Sequence, residues 1–140
     1  MLAPEPFFEP RGTPFSEYHR IKVLVELGFA IDLVTYPVGQ DVSLPNLRIY
    51  RCMRLPFLRR VAIGPSLIKL LLDALLVVKA IRLARRGDYA AIHSHEEAGL
   101  LGVWLARWLG IPHLYDMHSS LPQQLKNFHY SRSRLIRHLF

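Results

Sequence analysis

The chain has 140 residues, 51% of them apolar, which is enough for one domain with a real core and too apolar for a disordered tail. Lys and Arg number 18 against 11 Asp and Glu, a formal net charge of +7, so anionic partners are favoured: phosphorylated small molecules, acidic lipid or nucleic acid. The single Cys52 rules out an intrachain disulfide and a thiolate metal site and fits a reducing compartment, so a cytoplasmic location is expected.

Met1-Leu2-Ala3 precede Pro4 and offer only a stub of a first strand, without the basic leader or apolar core of a signal peptide. Thr13 as N-cap and Pro14 as first helical residue predict a helix over 14–27, in which Phe15, Tyr18, Ile21 and Val25 recur at helical spacing until Gly28 closes it. Residues 29–36 are β-branched and aromatic and stop at Pro37, which reads as a strand. Residues 47–52 alternate apolar and polar, as expected for a strand near a sheet edge.

Pro56, Gly64 and Pro65, with Arg54, Arg59 and Arg60, mark 53–65 as a basic loop. Ser66 or Gly64 then caps a long helix that ends at Gly87. Lys69, Asp73, Lys79 and Arg82 interrupt its apolar run, which falls short of the roughly 20 residues needed to span a bilayer. It is therefore expected to be a buried soluble helix, with Lys79, Arg82, Arg85 and Arg86 matching the negative end of its dipole. Tyr89 to His93 reads as the next strand, and a helix follows from Glu96 or Glu97 to Leu109. Gly99 and Gly102 would let that helix lie close to a sheet, and Trp104 and Trp108 are expected in core or interface packing. Pro112 opens a last strand over 113–118, followed by a polar stretch, 119–133, and a basic apolar segment, 135–140. This alternation predicts an α/β fold: a Rossmann-like, doubly wound parallel sheet covered on both faces, its first strand truncated unless the chain begins upstream.

The chemistry concentrates in 88–99, where a short apolar strand delivers His93, His95, Glu96 and Glu97 to the start of a helix. Open α/β sheets hold ligands at the carboxyl ends of their strands. His93 and His95 are two apart and so share a side of the strand. They could open a metal site with Asp116 and His118, but no metal is expected, and His93 reads as a packed, hydrogen-bonded strand residue. Asp116, His118, Ser119 and Ser120 bring a carboxylate, a switchable imidazole and hydroxyls to one loop; alternatively Asp116 caps a turn and His118 is solvated. Arg11 and Gly12 precede a helix whose unpaired N–H groups suit a phosphate oxygen, although Gly12 could equally be a plain turn glycine. No G-x-G-x-x-G is present.

Taken together, residues 4–14, the strand ending His93-Ser94-His95-Glu96, and Tyr115-Asp116-Met117-His118-Ser119-Ser120 resemble the amino-terminal half of family 4 glycosyltransferases, retaining enzymes of the GT-B fold. The resemblance implies a domain that mainly holds the acceptor, facing a second Rossmann-like domain that holds the nucleotide-sugar and lies beyond this sequence. It places Arg11 and Gly12 near the donor diphosphate, His95 and Glu96 at the reacting sugar, and Asp116 and His118 on the cleft wall. It also implies a nucleotide-sugar co-substrate, no other cofactor, and little binding or turnover by these residues alone. The alternative is a basic membrane-surface or scaffolding module without catalysis, in which Arg54, Arg59, Arg60, Lys79, Arg82, Arg85 and Arg86 meet anionic lipid, peripheral to the inner face of the membrane. A nucleic-acid binder rests on charge alone, since no zinc pattern, recognition helix or interleaved aromatic-basic strand accompanies it.

Overall fold

A computed structural model describes residues 1–8, 12–56, 58, 61 and 66–117. Along the chain lie β1 (Leu2–Ala3), α1 (Gly12–Glu26), β2 (Ile31–Thr35), β3 (Leu47–Arg51), α2 (Leu67–Ala84), β4 (Ile92–His95), a 3-10 turn (Glu96–Ala98), α3 (Gly99–Leu109) and β5 (His113–Asp116). The five strands form one parallel sheet in the order β3-β2-β1-β4-β5. The chain steps outward from β1 to β2 and β3, and α2 then carries it back across to β4 and β5. The strand order therefore reverses beside β1, which makes this a Rossmann-like doubly wound α/β fold with a switch point between β1 and β4. β3 lies at the sheet edge, as its alternating pattern predicts.

The two crossover directions place α1 on one face and α2 with α3 on the other, and the core divides accordingly. Ala3, Ile31 and Leu33 pack with Ile21 and Val25 of α1. Leu2, Val34 and Ile92 pack with Leu72, Leu76 and Ala80 of α2 and Leu105 of α3. Side chains alternate along each strand, so neighbouring residues of β2 feed different cores. The Ser66 hydroxyl caps α2 by accepting from the Lys69 N–H at 3.1 Å.

Several boundaries and faces differ from the sequence expectation. β4 runs to His95 rather than stopping at His93, because it pairs with β5 from Ile92↔His113 to His95↔Asp116. Tyr89 lies before the strand and donates its hydroxyl to Asp32 at 2.8 Å. α1 buries Pro14, Glu17, Ile21 and Val25 and leaves Phe15 exposed. It begins at Gly12, whose φ of +47° turns the chain into the helix before Thr13, so Thr13 sits in the first turn rather than at the cap. α2 is buried only along Leu72, Leu76, Ala80 and Ala84, while Leu67, Leu70, Leu71 and Val78 are exposed. Trp104 and Trp108 are not core residues: about half of each is exposed, and their rings stack 5.7 Å apart. No helix among the described residues is long and apolar enough to cross a membrane.

Glycine sets the closeness of α3 to the sheet. A Cβ on Gly102 would lie 2.4 Å from His113 Nε2 and 2.6 Å from Ser94 Oγ, and one on Gly99 would lie 2.7 Å from the Tyr115 ring. Ser94 and His113 are themselves joined, Oγ to Nε2, at 2.7 Å, so they have little room to part. Gly102→Ala is expected to lower unfolding stability by roughly 1–3 kcal/mol through overpacking, whereas Leu100→Ala on the exposed side should stay within about 0.5 kcal/mol of wild type; urea denaturation of both variants checks this.

Candidate functional site

The start of α1 and the carboxyl ends of β1, β4 and β5 meet at one rim of the sheet. Thr13, next to Gly12, donates its hydroxyl to Glu96 Oε1 at 3.5 Å, joining the head of α1 to the turn that follows β4. His95 and Asp116 are register partners at the ends of β4 and β5, with His95 Nδ1 3.5 Å from Asp116 Oδ2. Gly12, His95 with Glu96, and Asp116 are thus brought together from three separate stretches of chain. Arg11 and His118 lie outside the described residues, as do Arg59, Arg60, Ser119, Ser120 and the segment from 121 to 140.

A buried polar cluster lies behind this rim. His95 is 1% exposed and Glu17 of α1 is fully enclosed. Glu17 Oε2 lies 2.8 Å from His95 Nε2, and it also accepts from the Arg20 guanidinium at 3.1 Å. The same Arg20 nitrogen pairs with Asp116. Two carboxylates from two elements therefore share one guanidinium and one imidazole, and the head of α1 is fixed against β4 and β5. Removing one partner would strand charge in a dry setting, which typically costs several kcal/mol.

Glu17, Arg20 and Glu5 were not anticipated as site residues. Glu17 carried a signal: with Ile21 and Val25 it falls at i, i+4 and i+8, a carboxylate on the stripe that faces the core. Glu5 follows β1 at the switch point. Its backbone carbonyl accepts from the Thr35 hydroxyl at 2.6 Å and its side chain is buried. Burial, reinforced by Glu17 and Glu96, pushes the Glu5 carboxyl up to about 8. Glu96 adopts φ of +43°, a left-handed conformation that costs a residue with a Cβ roughly 1–2 kcal/mol. Backbone strain of this kind collects where a loop must present a side chain.

His93 and His95 point to the same side, as their spacing predicts, with ring centroids 4.6 Å apart. His93 is packed, and its Nε2 has no hydrogen-bond partner among the described residues. Burial, and next the neighbouring His95, lower its pKa to about 4, which leaves it neutral near pH 7. His93, His95 and Asp116 each offer a ligand atom within 4.8 Å of the others. A metal ion there would have to compete with Arg20 for Asp116.

These shifts have opposite consequences for stability. The Glu5 pKa is raised on folding from 4.5 to about 8, so the folded protein holds an extra proton over that interval, and stability is lost as pH rises through it. The His93 pKa is lowered from 6.5 to about 4, so stability is lost as pH falls through that interval. The two effects oppose each other between pH 4.5 and 6.5. Between about pH 6 and 8 Glu5 is opposed by the Met1 ammonium, whose pKa burial lowers from 8.0 to about 6, so that its contribution to stability is lost as pH falls through that interval. Urea denaturation is expected to show little net slope from pH 6.5 to 8 in the wild type, and a rise with pH approaching about 1.4 kcal/mol per unit in Glu5→Gln, where the Met1 contribution is left unopposed, while His93→Gln keeps the wild-type slope.

No match was found among curated proteins. The family description Glycosyltransferase Family 4 matches residues 18–140, a span that takes in α1 from Tyr18 onward and β2 through β5. With the parallel sheet, its switch point and the polar rim in place, this match shows that the chain belongs to glycosyltransferase family 4.

Proposed function

We propose that this chain is the acceptor-side domain of a retaining GT-B glycosyltransferase that moves a sugar from a nucleotide-sugar to an acceptor. The observation that carries the reading is the convergence of the α1 start with the ends of β4 and β5 at the point where the strand order reverses. A retaining transfer of this type places the acceptor hydroxyl and the departing diphosphate on the same face of the sugar. Negative charge grows on the diphosphate as the glycosidic bond breaks, and helix N-termini or cations aimed there lower the barrier. The start of α1, with Gly12 and Arg11, serves that role in this reading. Glu96 serves the reacting sugar from the rim, and His95 serves it from the enclosed layer directly behind, held by Glu17 and Asp116. Asp116 and His118 form the cleft wall.

The reading requires no metal and no cofactor beyond the nucleotide-sugar. A second, nucleotide-sugar domain would provide most of the donor grip, so these residues alone should bind weakly and turn over hardly at all. The noncatalytic alternative gives no role to a strained Glu96 set beside a buried charge cluster.

Saturation-transfer NMR with UDP- and GDP-sugars tests the proposal. Weak transfer from protein to sugar and ribose protons is expected with at least one donor, and Glu96→Gln, a change at the rim, should reduce it roughly tenfold. A signal of equal size in Glu96→Gln, or none at about millimolar donor, would contradict the reading.

A further inference from the structure

The helical layer formed by α2 and α3 has two sides. Its inner side fills the core, with Leu72, Leu76 and Ala80 from α2 and Leu105 and Ala106 from α3. Its outer side is also apolar. Leu67 and Leu100 are 85% and 86% exposed, and Leu71, Val78, Trp104 and Trp108 are open beside them. On α2, residues 67, 71 and 78 fall on one helical face; on α3, residues 100, 104 and 108 do the same. The two helices pack on the same side of the sheet and touch through the Arg85 guanidinium, which lies 5.8 Å over the Trp108 ring. A paired apolar stripe of this extent is uncommon on a protein surface that meets only water.

The charge around the stripe indicates what covers it. Arg82 stands in the last turn of α2 with Arg85 and Arg86 just beyond, and Arg107 stands in the last turn of α3. Asp73 is the single acid along both helices, and it is turned inward to accept from the Tyr36 hydroxyl. The exposed side is thus apolar and cationic at one end, and at the other end Glu97, just before α3, is paired with Lys69 of α2. A second copy of the chain would set like charges against each other. Acidic lipid headgroups complement the arginines, the leucines can enter the acyl boundary, and tryptophan favours the interface between the two.

We propose that the outer face of α2 and α3 lies flat on an anionic membrane surface, with Leu67, Leu71 and Leu100 entering the lipid, Trp104 and Trp108 at headgroup level, and Arg82, Arg85, Arg86 and Arg107 on the headgroups. This docking surface lies on the outer side of the helical layer, adjoining the rim at the start of α3, and does not depend on the sugar-transfer reading. It differs from docking through the β3–α2 loop, where Arg54 lies.

The only two tryptophans in the chain are both on this face, so intrinsic emission reports on it alone. The full chain is mixed with phosphatidylcholine vesicles and with mixed phosphatidylglycerol/phosphatidylcholine vesicles. Co-sedimentation with the anionic vesicles, a blue shift of tryptophan emission and quenching by brominated acyl chains are expected. The pair Leu71→Ser/Leu100→Ser and the triple Arg82→Gln/Arg85→Gln/Arg86→Gln should each lower partitioning about tenfold or more with unchanged circular dichroism. Because all five positions lie outside the core, at least one of the two variants should remain folded. Vesicle binding without a tryptophan response, no binding to anionic vesicles, or a vesicle-independent oligomer that shields both tryptophans would each overturn the proposal.

Discussion

Glu17 is fully enclosed, yet it is a carboxylate, and the geometry of the rim depends on how that charge is satisfied. It meets His95 from β4 and Arg20 one turn along α1, and Arg20 in turn meets Asp116 from β5. Charges buried in this way add little net stability, because desolvation consumes much of the attraction. Their effect is positional: each group is costly to leave alone, so few arrangements of α1 against the two strands are tolerated. The apolar contacts of Ile21 and Val25 hold α1 on the sheet, and the polar cluster sets where its head lies.

That placement determines what the rim can present. With α1 fixed, Thr13 reaches Glu96, and Glu96 is held in a left-handed turn at the end of β4. Glu5, at the end of β1, lies in the field of the same carboxylates, which helps to keep its own carboxyl protonated. A site built on strand ends and a helix start is stiffer than one built on long loops, and a transferase needs that stiffness because its gain comes from groups already aimed at developing charge. The outer face of α2 and α3 is a separate part of the same architecture: the helices that fill the core inward are also apolar outward.

Much of the fold could be read from local rules. Pro37 and Gly28 bound their elements, Ser66 caps α2, and the alternation of 47–51 places β3 at the edge. Gly99 and Gly102 predicted the close approach of α3, since only glycine leaves room for Tyr115, Ser94 and His113. What local rules missed was decided by distant partners. β4 continues to His95 because β1 and β5 flank it, and neither neighbour is visible from 88–95 alone. Arg20 and Glu5 look like ordinary surface charges until the sheet brings β4 and β5 to them. Of the core or interface packing expected for Trp104 and Trp108, the core half is overturned, because the small residues Gly102 and Ala106 occupy the inward side of α3 and leave the rings outside.

The central claim is that the buried pairing of Glu17 with His95 positions the head of α1. A double-mutant cycle of Glu17→Gln and His95→Gln, followed by urea denaturation at neutral pH, measures it directly. The account predicts a coupling of about 1.5 kcal/mol or more between the two positions, and losses that add to within about 0.5 kcal/mol would contradict it.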